Sequence, residues 1–202
     1  MTDPLIDPLQ RKQQLRTEAS ARRRAQAGKD RLSREICGKL AALPEYLAAA
    51  TVLFYVGVRD EVRTRPFLET ACGAKRIVVP YCVGPRLELF HIESLAELDV
   101  GGFGLWEPKA ELRPRADRRV AVAQLDLIVV PGVAFDGRGG RLGHGQGYYD
   151  RLLRQTGPDT PTVAVAFQCQ LFAEVPMLPH DVFMRKILTE TAVYPPAPPT
   201  PG

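Results

Sequence analysis

Three stretches of the chain are apolar with little polar interruption: TVLFYVGV at 51–58, LDLIVV at 125–130 and TVAVAF at 162–167. Runs this short and this rich in β-branched residues predict strands buried on both faces, as parallel sheets require. KRIVVP at 75–80 predicts a further short strand, and ILTETAVY at 187–194 the last one. RLELFHI at 86–92 alternates apolar and polar positions, the pattern of a strand with one solvated face. Between these runs the period lengthens. Residues 8 to about 42 hold few breakers, and Leu32, Ile36 and Leu40 form one apolar stripe, which predicts two helices or one helix bent near Gly28. A helix is expected over Arg63–Cys72, and another where Tyr149, Leu152 and Leu153 fall at i, i+3 and i+4. Strand and helix therefore alternate, which predicts an α/β fold with three layers, a mostly parallel sheet flanked by helices.

The chain has 202 residues, 45% hydrophobic and 25% charged, which suits one domain over residues 1–194. The tail PPAPPTPG, residues 195–202, lacks anything to pack and is expected to be disordered or polyproline-like. No apolar run approaches the length of a membrane span, and MTDPLIDPLQ lacks the apolar core of a secretory signal, so a cytoplasmic protein without a membrane partner is expected. Cys37, Cys72, Cys82 and Cys169 show no CxxC spacing and read as buried free thiols rather than disulfides or zinc ligands. The net charge of +4 is concentrated: residues 11–35 hold nine Lys or Arg against three Asp or Glu, a local +6. Such a segment attracts anions, and small polyanions are favoured over nucleic acid as its partner.

Chemistry is densest in PGVAFDGRGGRLGHGQGYYDR, residues 131–151. Six glycines lie between Gly137 and Gly147, after an apolar run and before a helical pattern, which reads as strand, loop, helix. Glycine costs stability unless positive φ or close backbone approach is needed, so this density points to a ligand. Free amides before a helix favour an anion, and Arg138, Arg141 and Arg151 add positive charge, with Arg141 able to offer a planar fork to phosphate oxygens. An arginine so placed is expected to matter to phosphate more than to packing. Asp136 and Asp150 are hard oxygen donors suited to magnesium. Lys12 and Arg16 are four apart and share a helix face, so both can reach one phosphate. Glu61 lies just past a strand end, where open α/β sheets place their ligand crevice, and can accept hydrogen bonds from a ligand's N–H groups. In GGFGLWEP, residues 101–108, Phe103 and Trp106 could flank a flat ring. His91 is given no role. LRPRADRR at 112–119 reads as a freely variable surface excursion.

As a whole, residues 131–151 resemble the signature of the 5-formyltetrahydrofolate cyclo-ligase family, close to PGxxFDxxGxRLGxGxGYYDR. The likeness runs through KxxLR at 12–16, DEVRT at 60–64, WEP at 106–108 and PxxxHD at 176–181. It implies the fold shared with sugar-phosphate isomerases and CoA transferases. It also implies ATP-dependent cyclisation of 5-formyltetrahydrofolate, with or without a polyglutamate tail, to the 5,10-methenyl form, releasing ADP and phosphate, in a monomer. The implied ATP site comprises Lys12, Arg16, Arg141, Leu142, Gly143, His144, Gly145, Gln146, Gly147, Tyr148 and Tyr149, with Arg141 and Tyr148 acting at the reacting groups. The implied folate site comprises Val56, Glu61, Phe103, Trp106 and Tyr148, and Asp150 and Asp181 would hold Mg2+. Arg185 departs from the pattern, since relatives often carry an acid there. A nucleotide-binding protein without ligase activity, an RNA-binding module and a sugar-phosphate isomerase are the alternative readings.

Overall fold

The structure, a computed structural model, describes residues 7–195, so most of the proline-rich tail lies outside the described residues. The helices are α1 (Pro8–Ala25), α2 (Lys29–Ala41), α3 (Pro44–Ala48), α4 (Arg65–Ala71) and α5 (Tyr148–Leu153). The first strands are β1 (Thr51–Phe54), β2 (Arg76–Val83), β3 (Arg86–Ile92), β4 (Leu98–Val100), β5 (Trp106–Pro108) and β6 (Leu127–Val130). There follow β7 (Ala134–Asp136), β8 (Arg141–Leu142), β9 (Thr162–Val165), β10 (Leu171–Phe172), β11 (Lys186–Leu188) and β12 (Val193–Tyr194).

Seven strands form the main sheet in the order β12-β11-β9-β6-β1-β2-β3. The five central strands are parallel, and β3 and β12 pair antiparallel at the two edges. Both faces of the central strands are buried, as their unbroken apolar runs require. Val52, Phe54, Leu127, Val129 and Val163 face the core under α2, α3 and α4. Their neighbours Leu53, Ile128, Val130 and Ala164 face the opposite core, closed by Leu152 and Leu153 of α5. The expected stripe on α2 is real: Leu32, Ile36 and Leu40 are buried together, and Gly28 at φ +67 separates α1 from α2. Each such side chain contributes about 2 kcal/mol when fully buried.

Helix α1 packs elsewhere. Leu15 and Ala19 lie against Val133, Ala134 and Leu142, on the small sheet β10-β7-β8. The glycine-rich segment is therefore not a plain loop. It contains the hairpin of β7 and β8, and α1 is laid across it.

Several expected elements change shape. The run 51–58 is paired only to Phe54, and Tyr55 and Val56 continue as buried coil at the strand's C-terminal end. The expected last strand is broken: the Thr189 amide and hydroxyl engage Ala192 across a turn, giving β11 and β12. The glycine-flanked segment around Trp106 forms a β4–β5 hairpin. LRPRADRR is anchored rather than free, because buried Arg118 pairs with Glu93 at 2.7 Å and with Glu97 at 3.4 Å. Cys37 is buried, and burial pushes its thiol up to about 12, whereas the other three cysteines are only half-buried. Among the described residues no helix is long and apolar enough to cross a membrane.

Candidate active site

Chain direction places the site. β1 is followed on one side by β2 and on the other by β6, so the strand order reverses between β1 and β6. Ligand crevices in open α/β sheets form at such a reversal, beyond the strands' carboxyl ends. A cavity of about 600 Å3 lies there, walled by Tyr55 and Val56 after β1 and by Pro131 and Gly132 after β6. The residues of the implied ATP, folate and metal sites line it except Phe103, whose side chain lies outside the described residues, whereas Asp136, Arg138 and Arg151 of the glycine-rich segment do not line it.

One half of the cavity is charged. Lys12, Arg16 and Arg23 project into it from α1, with Arg23 on the same helix face three turns beyond Lys12. Arg16 Nε donates to the Gly143 carbonyl at 2.9 Å, which fastens α1 to the glycine loop. Gly145 sits at φ +98 with the Arg16 guanidinium 3.6 Å from where a Cβ would stand. The positive φ favours glycine there, while the space beside Arg16 would admit a Cβ at ordinary contact distance. Arg141 is 4% exposed. It pairs with Asp150 at 2.6 Å and donates weakly to the Pro131 carbonyl at 3.5 Å. Arg23 Nη1 donates to the Gly132 carbonyl at 3.3 Å. The Nε atoms of both arginines are buried without a hydrogen-bond partner. Helix α5 has only six residues, so few peptide dipoles add up and the side-chain cations must carry most of the attraction for an anion.

The two acids expected to bind metal reach the same cavity, each already paired. Lys12 is ion-paired to Asp181, and Asp181 Oδ2 accepts from the Leu178 amide at 2.7 Å. Burial alone would raise the Asp181 pKa, but the Lys12 ammonium and the Leu178 amide outweigh it, and its carboxyl lies below the usual carboxylate range. Among the described residues no cluster of three or more His, Cys, Asp or Glu side chains could hold a metal ion. Asp136 does not reach the cavity. It is fully buried and accepts from the amides of Arg138, Gly140 and Val175 at 2.8–3.0 Å, so it braces the β7–β8 hairpin. Arg185 lies outside the cavity lining and donates its amide to Thr162.

The other half is aromatic. Trp106 of β5, Tyr81 of β2 and Tyr148 of α5 line it, with Val56 beside them. The Tyr148 hydroxyl donates to the Gly84 carbonyl at 3.0 Å, so toward a ligand it offers its ring and an accepting oxygen. Glu61 holds the Val58 amide at 3.1 Å through Oε2, while Oε1 lies 3.7 Å from His144 of the glycine loop. Gly57 makes this turn possible, since a Cβ there would stand 2.1 Å from the Val62 carbonyl oxygen. Tyr55 and Tyr149 are buried phenols whose pKa values burial pushes well up, so both are neutral walls of the site. Arg23, Tyr55 and Tyr81 were not expected. Helical periodicity from Lys12 could have found Arg23, whereas nothing local marks the two tyrosines.

Clustered cations thus face aromatic walls across one α/β crevice. The chain belongs to the 5-formyltetrahydrofolate cyclo-ligase family, whose model matches residues 8–190. It is 33% identical over 187 residues to the 5-formyltetrahydrofolate cyclo-ligase of Mycolicibacterium smegmatis, covering 88% of this chain and 93% of that protein. It is 36% identical over 128 residues to a probable 5-formyltetrahydrofolate cyclo-ligase of Schizosaccharomyces pombe, covering 61% of each. The solution structure of 5,10-methenyltetrahydrofolate synthetase from Aquifex aeolicus superposes with a TM-score of 0.80 at 33% identity, covering 91% of this chain and 92% of that one.

Proposed function

We propose that this protein cyclises 5-formyltetrahydrofolate to 5,10-methenyltetrahydrofolate, consuming ATP and releasing ADP and phosphate. The observation that carries the reading is the single cavity that joins the cations of α1 and β8 to the aromatic wall around Trp106. A formamide oxygen is a poor leaving group. Transfer of the terminal phosphoryl group to that oxygen, with ADP departing, makes the formyl carbon electrophilic. The neighbouring folate nitrogen then attacks this carbon, loses its proton, and phosphate leaves with the former formyl oxygen. Atoms balance without a covalent enzyme intermediate.

In this reading Lys12, Arg16 and Arg141 neutralise the nucleotide phosphates, and the loop from Leu142 through Tyr149 wraps them, with His144 and Gln146 at its exposed tip. The unpartnered Nε atoms of Arg23 and Arg141 support a bound anion, because a buried guanidinium donor without an acceptor is costly. Glu61 accepts from the pterin, Trp106 stacks on it, Val56 closes its edge, Phe103 belongs to the same wall, and Tyr148 orients the formyl end. Asp150 and Asp181 would hold Mg2+, which when bound supplies charge neutralisation at the phosphates. Two carboxylates fit an ion that takes most of its remaining ligands from phosphate and water. Lys12 and Arg141 must then exchange these carboxylates for phosphate oxygens. The helical layers on both faces of the sheet support the further reading of the fold shared with sugar-phosphate isomerases and CoA transferases. A monomer working in the cytoplasm completes the proposal.

The test is direct. Purified protein with ATP, magnesium and 5-formyltetrahydrofolate should develop the absorbance of the methenyl product, with one ADP per product. ATP hydrolysis that ignores the folate would refute the reading and favour a nucleotide-binding protein of other purpose.

A further inference from the structure

The most deeply buried carboxylate among the described residues is that of Asp136, at 0% exposure, and it lies outside the cavity. Nothing in the proposed reaction uses it. It closes β7 and shapes the turn to β8: its Oδ1 accepts from the Arg138 amide at 2.9 Å and the Gly140 amide at 3.0 Å, and its own amide donates to the Gly140 carbonyl at 3.1 Å. Gly140 is followed at once by Arg141, the first residue of β8. The other oxygen reaches the opposite way, accepting from the Val175 amide at 2.8 Å. Val175 opens the segment that carries Asp181. That segment is fastened to the same turn at its far end, where the Met184 amide donates to the Gly139 carbonyl at 2.8 Å. We propose that Asp136 is a positioning residue, one that sets the separation between Arg141 and Asp181 from outside the cavity. The proposal rests on the proposed function, which puts both of these residues at the nucleotide phosphates.

Neither segment has a long ladder to hold it. β8 has two residues, and residues 175–184 contain no helix or strand, so point contacts must fix where Arg141 and Asp181 stand. An ionised carboxylate only accepts, which matches the three converging amides, and such charge-assisted bonds are stiffest away from water. The packing is close: a Cβ on Gly140 would stand 2.6 Å from Asp136 Oδ2, and one on Gly139 would stand 2.4 Å from the Met184 carbonyl oxygen. On the outside, Arg138 pairs with Asp136 at 3.3 Å and with Glu174 at 3.1 Å. The Arg138–Glu174 pair is half-exposed and contributes little. The amides therefore do the positioning. Misplacing a reacting group by about 1 Å can cost about a hundredfold in rate, so a side chain that touches no ligand can govern turnover.

Asp136→Asn keeps the shape but turns one acceptor into a donor, which then faces an amide N–H. In the folded variant kcat should fall about a hundredfold, with KM for the folate within about twofold, and more magnesium should be needed for half-activity. Two double-mutant cycles separate positioning from a general loss of fold, with each rate corrected for the folded fraction read from urea curves. In an Arg141→Ala background, Asp136→Asn should cost less than about a further fivefold in kcat, because the two act through one group. In an Asp181→Asn background it should leave the magnesium requirement where Asp181→Asn has put it. Fully additive losses in both cycles, or an unchanged kcat in folded Asp136→Asn protein, would overturn the proposal. Glu174→Gln removes only the outer ion pair and should keep the wild-type kcat; a loss equal to that of Asp136→Asn would assign the effect to surface charge and overturn it too. Should Asp136→Asn not fold, Gly140→Ala carries the same cycles with the same outcomes, since its Cβ must displace the carboxylate. Should the wild type form no methenyl product, the activity reading fails by itself, and hydrogen exchange of the Asp136→Asn or Gly140→Ala protein decides the positioning. Selective loss of protection at the Leu178 and Met184 amides, neither of which bonds to Asp136, supports it. Unchanged protection there, or loss spread evenly through the central strands, overturns it.

Discussion

The two halves of the cavity are built on opposite principles. In the cationic half, which the proposed function gives to phosphate, the cations already have a counter-charge or a carbonyl: Lys12 with Asp181, Arg141 with Asp150, Arg16 with the Gly143 oxygen. The aromatic half is formed by strand ends and a hairpin, and its polar contacts are few: Glu61 on the Val58 amide and Tyr148 on the Gly84 carbonyl. On the proposed function a nucleotide would therefore exchange ion pairs on entering, whereas a pterin would enter a surface already shaped. Buried charges cannot wait unpaired, because an uncompensated ion in a low-dielectric site costs several kcal/mol. Aromatic walls carry no such penalty. Loss of a residue from the first half should consequently disturb fold and function together, and loss from the second should disturb affinity alone.

The sharpest break is Arg141→Ala. Turnover should fall on the order of a thousandfold, as when a preorganised transition-state donor is removed. The sequence placed this arginine in a loop, where stability would be spared. The structure buries it against Asp150, so the variant should also lose about 3 kcal/mol, read as a lower urea midpoint. Wild-type stability in this variant would show that the pair does not organise the loop.

Lys12→Met and Asp181→Asn come next. Lys12→Met should raise KM for ATP about ten- to a hundredfold, the worth of a charge-assisted contact to phosphate, and leave KM for the folate within about twofold. Asp181→Asn should raise the magnesium concentration needed for half-activity, and an unchanged requirement would remove Asp181 from the metal. This pair also carries a pH signature. The Asp181 carboxyl is depressed in the folded state, so its contribution is complete above the ordinary value of 3.8 and is lost as pH falls through the lower folded value. Wild-type urea midpoints should drop over that acid range, and the Asp181→Asn protein should show a shallower drop.

On the ring side, Trp106→Ala should raise KM for the folate about tenfold through lost stacking, with KM for ATP unmoved. A parallel rise in both constants would mean that the halves are not separable.

What the sequence made legible follows from range. Local periodicity found α2, α5 and the central strands, because burial on both faces writes itself as unbroken apolar runs at 125–130 and 162–167. The motif residues converge on one cavity. The β7–β8 hairpin inside the glycine segment stayed hidden, since two- and three-residue strands leave no period to read. The ion pairs stayed hidden for another reason. Asp181 meets Lys12 across 169 positions, and only the docking of α1 on the small sheet brings them together. Asp136 misled because composition cannot tell a carboxylate that holds three amides from one that faces a ligand.

The smallest expected effect tests the exposed tip of the glycine loop. Gln146 is exposed there, and its backbone oxygen accepts from Arg151 Nη2 at 2.8 Å, a contact that does not depend on the side chain. Gln146→Lys adds one charge near the phosphate half without burying it. An exposed charge contributes at most about 1 kcal/mol, so turnover should stay within about twofold and KM for ATP should fall two- to threefold. The gain should vanish near 0.5 M salt, about where the screening length falls to a few ångströms. The same lysine one position earlier would be strained at φ +98, and Gly145→Lys should lose activity. If folded Gln146→Lys protein were inactive, the tip would be as strictly organised as the ion pairs beneath it, and the contrast between a preneutralised floor and a tolerant rim would fail.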